Sequence, residues 1–232
     1  MAINKESTGY TFLFATLLVI VVGSGLALIS MGLKPLQEEN NVVKKKMDIL
    51  GALKLESTRE NASELYDQYI KPEDCVVLAA DGTVKEGIEA FDVNIKQQYR
   101  DKTLSEEDRD YPLYVASVDG KTKYVIPLVG SGLWGPIWGY IAVDEDKETI
   151  YGAKFDHKTE TPGLGAEIKQ PFYYDQYVGE KITSDITSVK DGSGGGVNGK
   201  VDGITGGTIT SKGVEEMVNR TLSVYVKYFN NN

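Results

Sequence analysis

The run DGITGGTITS, at residues 202–211, holds the residue types best suited to receiving a phosphate group. It contains three glycines and four hydroxyl residues, and a segment with helical periodicity follows it. Glycine lets a backbone approach a ligand closely, and the start of a helix offers unpaired N–H groups to an anion. Because the run lacks the Gly-Lys-Ser/Thr ending of a Walker loop, it predicts a different kind of phosphate site. Helix capping by serine or threonine is the alternative.

A second run, GSGLWGPIWG at residues 130–139, places two tryptophans among glycines and a proline, between two apolar segments. Such a turn could form an aromatic wall for a planar ligand. The alternative is a structural turn that Trp134 and Trp138 pack. The residues alone leave both interpretations open.

A third run, HKTETPGLG at residues 157–165, contains the tight-turn sequence Thr-Pro-Gly. A turn of this kind directs backbone N–H groups towards a ligand, and Leu164 could press on one face of a ring. An ordinary surface turn is the alternative. His157 is interpreted as a structural or surface histidine, not as a catalyst.

The composition favours a bound organic cofactor over catalysis by side chains. The chain has 25 basic and 34 acidic residues, a net charge of −9, which argues against a nucleic-acid partner. Its one cysteine excludes an internal disulfide and a cysteine-ligated cluster. A single histidine argues against a Ser–His–Asp triad and a multi-histidine metal site. We therefore predict no metal site and no catalytic acid or base.

Residues 10–33 form an uncharged apolar run that predicts a transmembrane helix. About 20 helical residues cross a hydrocarbon layer of about 30 Å. A cleaved signal peptide is the alternative, but the run is longer than its usual apolar region and a poor cleavage site follows. Lys34 and the three lysines at 44–46 come after the run, while Lys5 precedes it. This charge distribution leans weakly towards a cytoplasmic C-terminal domain.

The rest of the chain predicts the elements that must position the three runs. Helical periodicity occurs at residues 40–55, at 60–69 and at 212–229. Short β-branched and aromatic segments occur at 76–80, 113–118, 123–129, 139–143 and 149–155, with Asp-Gly turns at 81–82 and 119–120. We predict an α+β fold: one N-terminal transmembrane helix, then a mainly antiparallel sheet with flanking helices. The predicted division is a tail at 1–9, the span at 10–33, a helical connection at 34–72 and a domain at 73–232.

The glycine-rich run resembles the flavinylation motif Ser/Thr-Gly-Ala-Thr-x-Thr of the FMN-binding domain family. In the motif TGGTIT the final residue is Thr210, and Asp202-Gly203 matches the upstream pair that a flavin transferase also reads. The ETPGLG and GLWG segments resemble the two motifs with which that family holds the flavin ring. Gly207 replaces the usual alanine and Thr205 the usual serine, and both replacements stay small.

The N-terminal sequence GLKPLQ at residues 32–37, with Asn40 and the DIL run at 48–50, is similar to the C subunits of sodium-translocating NADH:quinone reductases. This resemblance covers nearly the whole chain. It implies an electron-carrying subunit with FMN attached to Thr210 through a phosphoester, matured by a flavin transferase and assembled with other membrane subunits. It also implies a bacterial inner-membrane location with the domain on the periplasmic side. Because no G-x-G-x-x-G fingerprint follows a strand, NADH is expected to bind elsewhere.

The resemblance implies a set of cofactor-binding residues, with Thr210 as the covalent acceptor. Two alternatives remain at this stage. One is the G subunit of an Rnf-type ferredoxin:NAD oxidoreductase, and the other is a non-redox, membrane-anchored binding domain with an unmodified threonine. The expected cofactor-binding residues are Leu133, Trp134, Glu160, Thr161, Gly163, Leu164, Asp202, Thr205, Gly206, Gly207, Thr208, Thr210, Ser211 and Lys212.

Overall fold

The computed structural model describes residues 7–231 of the 232-residue chain. It divides into two compact units, Met1–Lys44 and Lys45–Asn232. Most of the predicted N-terminal tail, including Lys5, lies outside the described residues. Each unit is considered by itself below.

A single helix, α1 at Thr8–Ala52, contains the predicted transmembrane segment. Its apolar side chains between Phe12 and Leu33 are exposed, and it is the one helix in the described part of the chain that is long and apolar enough to cross a membrane. The sequence predicts a new helix from residue 40, whereas α1 continues through Pro35 without a break. Proline removes one backbone donor, but the leucine, glutamine and glutamates that follow are good helix formers and carry the helix onward.

The second unit is built on a six-stranded sheet with the order β2-β1-β3-β4-β5-β6. Every neighbouring pair in it is antiparallel, which confirms the predicted fold class. All five predicted strands are present with shifted ends, and the two-residue β2 is too short to be predicted. The strands are β1 at Val76–Leu78, β2 at Val84–Lys85, β3 at Tyr111–Val118, β4 at Lys121–Ser131, β5 at Pro136–Val143 and β6 at Ile150–His157.

Shorter elements surround this sheet, and most of them are not predicted from the sequence. Helix α2 at Ala62–Tyr69 matches its prediction, whereas α3 at Ile95–Arg100 and α4 at Pro171–Tyr174 were not predicted. A small parallel pair joins β7 at Thr187–Val189 to β8 at Lys200–Asp202. This pair is the parallel exception in the described residues, and the glycine-rich run begins at its last residue, Asp202.

The last helix, α5 at Thr208–Asn231, packs against β4. Its predicted apolar face, with Val214, Met217, Leu222 and Tyr225 among its members, is buried in the core. The prediction that the helix begins at Lys212 is wrong, because it begins four residues earlier. The missed residues are mostly β-branched, which lowers helix propensity, and tertiary contacts of the first turn override that preference.

Candidate functional site

The three runs meet at one cleft with a volume of about 210 Å³. One wall is the turn between β4 and β5, a second is the turn that follows β6, and the third is the first turn of α5. The residues lining it are Leu133, Trp134, Glu160, Thr161, Leu164, Gly165, Gly206, Gly207, Thr208, Ile209 and Thr210.

The β4–β5 turn presents Leu133 and Trp134 at its tip. The N–H of Gly132 donates to the carbonyl of Gly135 over 2.8 Å and closes the turn. The Thr159 hydroxyl donates to the Trp134 carbonyl over 2.8 Å, which ties this turn to the one after β6. Trp134 is 65% exposed, so most of its side chain does not pack against other residues of the described structure.

The second wall is the turn at residues 161–165. The N–H groups of Leu164 and Ala166 both donate to the Thr161 carbonyl, over 3.1 and 3.2 Å. The Gly163 N–H donates to Glu167 Oε1 over 2.8 Å and fixes the tip. This closure leaves the Leu164 side chain partly exposed at the edge of the cleft.

The third wall is the N-terminus of α5. Its first intrahelical bond runs from the Ser211 N–H to the Gly207 carbonyl over 2.9 Å, so the N–H groups of residues 208–210 have no partner within the helix. The buried Ser211 hydroxyl accepts from Ile204 N–H over 2.9 Å and donates to the Gly207 carbonyl over 3.1 Å. These bonds hold the glycine-rich loop against the helix start. The helix dipole makes this end favourable for an anion.

The floor of the cleft is a buried pair, Glu160 and Thr210. The Thr210 hydroxyl donates to Glu160 Oε2 over 2.6 Å, and Trp134 N–H donates to Glu160 Oε1 over 2.8 Å. Glu160 is 5% exposed and Thr210 is 1% exposed. The Glu160 N–H in turn donates to His157 Nδ1 over 3.2 Å. A buried hydroxyl and a buried carboxylate therefore lie side by side in the lining of the cleft.

Apolar side chains form the rim above this polar floor. Leu133, Leu164 and Ile209 are exposed beside Trp134, although large apolar side chains are usually buried. The alternative interpretation of Trp134, as a residue that packs a structural turn, does not fit this exposure. The cleft can thus receive a ligand with a flat apolar part and a polar group that reaches the floor.

Five of the predicted residues lie outside the cleft lining: Asp202, Gly163, Thr205, Ser211 and Lys212. The Asp202 carboxylate accepts from Gly194 N–H over 3.1 Å, and the Lys212 ammonium pairs with Glu215 at 2.6 Å. No lysine or arginine occurs among the described residues that line the cleft.

Sequence reasoning missed two lining residues, Gly165 and Ile209. The available signal for Ile209 is its place between two threonines, because an apolar side chain exposed in the first turn of a helix needs another apolar group to pack against.

Because the sequence predicts a helix only from Lys212, it places Thr210 in front of that helix, and this placement is also wrong. Thr210 lies within the first turn of α5, two residues after the helix begins. The helix geometry therefore sets the direction of the Thr210 hydroxyl. Its position relative to Glu160 depends on both the first turn of α5 and the turn that follows β6.

The comparisons with known proteins agree with this geometry. The family described as the FMN-binding domain matches residues 132–223, which include all three walls of the cleft. The match identifies this part of the chain as an FMN-binding domain. A crystal structure of the C subunit of the Na⁺-translocating NADH-quinone reductase from Parabacteroides distasonis is 40% identical, with a TM-score of 0.75, and the match covers 86% of this chain and 98% of that chain.

Curated relatives give the same result. The C subunit of the same reductase from Haemophilus ducreyi is 30% identical over 229 residues, covering 91% of this chain and 88% of the relative. Its counterpart from Vibrio parahaemolyticus is 29% identical over 237 residues, covering 93% and 90%. The chain belongs to the family of C subunits of the Na⁺-translocating NADH-quinone reductase. This assignment favours the C subunits over the Rnf-type alternative.

Proposed function

We propose that this chain is the electron-carrying C subunit of a sodium-translocating NADH:quinone reductase and that it holds FMN through a phosphoester on Thr210. The observation that carries the proposal is the position of the Thr210 hydroxyl. It lines the floor of a cleft whose rim is apolar, and its bond to Glu160 fixes the direction of the oxygen.

An ester at Thr210 would place the phosphate where the dipole of α5 favours an anion. The phosphate would lie at the N-terminus of α5, where the N–H groups of residues 208–210 lack intrahelical partners. Because no cationic side chain occurs among the described residues that line the cleft, a noncovalent phosphate would be held weakly. A covalent tether removes dissociation and keeps the ring at a high effective concentration beside its pocket.

The rim suits the isoalloxazine ring. Trp134 and Leu133 on one side, with Leu164 and Ile209 on the others, offer apolar and aromatic surface to a planar group. FMN supplies the redox chemistry when bound, and the chain positions the ring and limits its contact with water. In this role, electrons that another subunit takes from NADH pass over the flavin towards quinone in the membrane subunits.

The membrane arrangement is part of the proposal. Helix α1 would anchor the chain in the bacterial inner membrane, with the flavin domain on the periplasmic side, where the flavin transferase works. Lys34 and the lysines at 44–46 favour the opposite orientation, but the three at 44–46 lie ten or more residues beyond the apolar run, near the limit of that rule's reach. Large domains also cross a membrane largely regardless of such charges.

Orientation has a direct test. Alkaline phosphatase fused after Leu55 should be active, and protease added to spheroplasts should digest the C-terminal domain. An inactive fusion together with a protected domain would overturn the orientation and leave the anchor unaffected.

The attachment site is tested by threonine substitutions in the chain produced together with a flavin transferase. Thr210→Ala should give a folded protein without flavin fluorescence on a denaturing gel. Thr208→Ala, two residues away in the same turn, should reduce the modification without abolishing it. Fluorescence that persists in Thr210→Ala would contradict the proposal.

A further inference from the structure

We infer that Glu160 is the catalytic base for flavin attachment, accepting the proton of the Thr210 hydroxyl as the phosphoester forms. This inference rests on the proposed function and adds a residue role to it. The chain would then supply part of the chemistry of its own modification, in addition to the hydroxyl that a transferase acts upon.

The direction of the hydrogen bond is the first support. Thr210 Oγ1 donates to Glu160 Oε2 over 2.6 Å, a length typical of a hydroxyl bonded to a carboxylate. With the proton directed at Glu160, the lone pairs of Oγ1 remain available for attack on phosphorus. The same geometry serves kinases, in which a catalytic aspartate accepts the proton of the substrate hydroxyl.

The carboxylate is held rigidly in this position. Trp134 N–H fixes its other oxygen, Oε1, over 2.8 Å. A Cβ on Gly132 would lie 2.6 Å from Oε1, and one on Gly165 would lie 2.5 Å from Thr210 Oγ1 and closer still to Oε2. Glycine at both positions therefore makes room for the pair. Because the Glu160 carboxylate is already held in place, it loses little conformational freedom when it accepts the proton.

The charge of the cleft argues against the simplest alternative, that Glu160 only helps to receive phosphate. A buried carboxylate repels a phosphate dianion, and no lysine or arginine among the described lining residues offsets it. The lining thus suits deprotonation of a hydroxyl better than noncovalent capture of an anion.

The step balances with a flavin dinucleotide as the donor, bound by the transferase. Thr210 Oγ1 attacks the phosphorus next to the riboflavin moiety, and an Oγ1–P bond forms while the phosphoanhydride P–O bond breaks. The nucleoside monophosphate leaves, and the hydroxyl proton passes to Glu160 and then to solvent. No atom changes its oxidation state.

The test measures the rate of attachment to the full-length apo chain in detergent, using a bacterial flavin transferase and flavin adenine dinucleotide. Intact mass follows the modification at several chain concentrations. Glu160→Gln, which keeps the size but removes the base, should lower kcat by about 100-fold or more with little change in KM. Glu160→Asp retains a carboxylate with a shorter reach and should recover part of the rate.

Glu180→Gln is the matched control. Glu180 is also buried, at 3% exposure, and accepts N–H groups from Asn198 and Gly199 over 2.9 Å each, outside the cleft lining. This variant should be modified at the wild-type rate. Near-ultraviolet circular dichroism of each apo variant checks that the fold is kept.

The possible failures are distinguishable. Glu160→Gln modified as fast as the unaltered chain, or Glu160→Asp no faster than Glu160→Gln, would overturn the role of Glu160 and leave Thr210 as the acceptor. An unaltered chain that gains no flavin under these conditions would overturn the proposed function together with this inference.

Discussion

Two parts of this protein expose large apolar side chains, and they differ in what lies beneath them. Along α1 the exposed side chains, such as Val19 and Ile29, follow one another for several helical turns with no charge among residues 10–33. At the cleft, four apolar side chains surround a buried carboxylate and hydroxyl. The two regions share exposed apolar side chains, but the buried polar pair lies beneath those of the cleft.

The difference indicates what each surface is built to meet. A helix satisfies its own backbone hydrogen bonds, so a long uncharged helix can lie in lipid without any polar partner. The rim of the cleft is short and encloses a hydroxyl, Thr210, that lipid could not use. Such a site fits a ligand with an apolar plane and one polar end, and FMN has both.

The largest expected effect is the loss of membrane anchoring by α1. Ile20→Arg combined with Val22→Arg should cost about 5–7 kcal/mol of insertion free energy, because each arginine at the centre of a span costs about 2.5–3.5 kcal/mol. The variant should leave the membrane fraction after an alkaline carbonate wash. Phe172→Arg with Val197→Arg, at exposed positions of the second unit, should stay in that fraction. Retention of the first variant would contradict the anchor.

The next largest effect comes from disturbing the buried Glu160–Thr210 pair of the cleft. Gly165→Ala places a methyl group against the Glu160–Thr210 pair, and such overpacking costs about 1–3 kcal/mol. Both the free energy of unfolding in urea and the amount of attached flavin should fall. Gly196→Ala is the control, because its nearest neighbouring atom, on Asn198, lies 3.6 Å away. Equal losses in the two variants would show that the space around the pair is not limiting.

A pH effect on stability tests where the exposed part of α1 ends. Exposure along α1 gives way to burial near Lys45, whose ammonium donates to the carbonyl of Phe91 and, over 3.4 Å, to that of Val93. Burial lowers the pKa of Lys45 to about 8, and nearby Asp92 offsets part of this shift. The unfolded chain, in which the ordinary value of 10.5 applies, therefore binds more protons between these two values.

Stability should consequently rise with pH above about 8, by about 1–2 kcal/mol as pH approaches 10. Urea unfolding of the chain in detergent at a series of pH values measures this. Burial also raises the pKa of the Cys75 thiol, which lowers stability over part of the same window, so the unaltered chain is compared with Lys45→Met at each pH. The stability difference between the two chains should rise with pH. A difference that stays flat or falls would show that Lys45 is not buried as described.

The smallest effect concerns the rim. Trp134→Ala should change the apo chain's stability by less than about 0.5 kcal/mol, since the indole is exposed. In the flavin-bearing protein it should remove about 0.5–1.5 kcal/mol of aromatic contact and shift the visible absorption spectrum. Phe172→Ala, at a comparable exposure of 63%, should leave the spectrum unchanged. A spectrum of Trp134→Ala that matches that of the unaltered protein would show that Trp134 does not contact the flavin ring.

The sequence predicted the sheet well because its signals are local. Segments rich in β-branched and aromatic residues and the Asp-Gly turn at 119–120, where both residues have positive φ, specify a hairpin without help from distant residues. The start of α5 could not be predicted in this way. Thr208 and Ile209 disfavour a helix locally, and the first turn forms because Ser211 and Thr210 bond to other segments.

The site was predicted only in outline for a similar reason. The motifs indicated three segments and the hydroxyl of Thr210, and the structure brings those segments together. The bond between Glu160 and Thr210 joins residues 50 positions apart, so no spacing rule predicts it. Lys212 fits a phosphate site by sequence, yet its charge is engaged by Glu215.

The central claim is that one FMN is esterified to Thr210, and intact mass measures it most directly. The chain produced with a flavin transferase should gain the mass of one FMN less one water. Phosphodiester cleavage should remove the flavin, and peptide mapping should place the modification at Thr210 within residues 202–212. An unchanged mass, or a flavin mapped to another residue, would contradict the account.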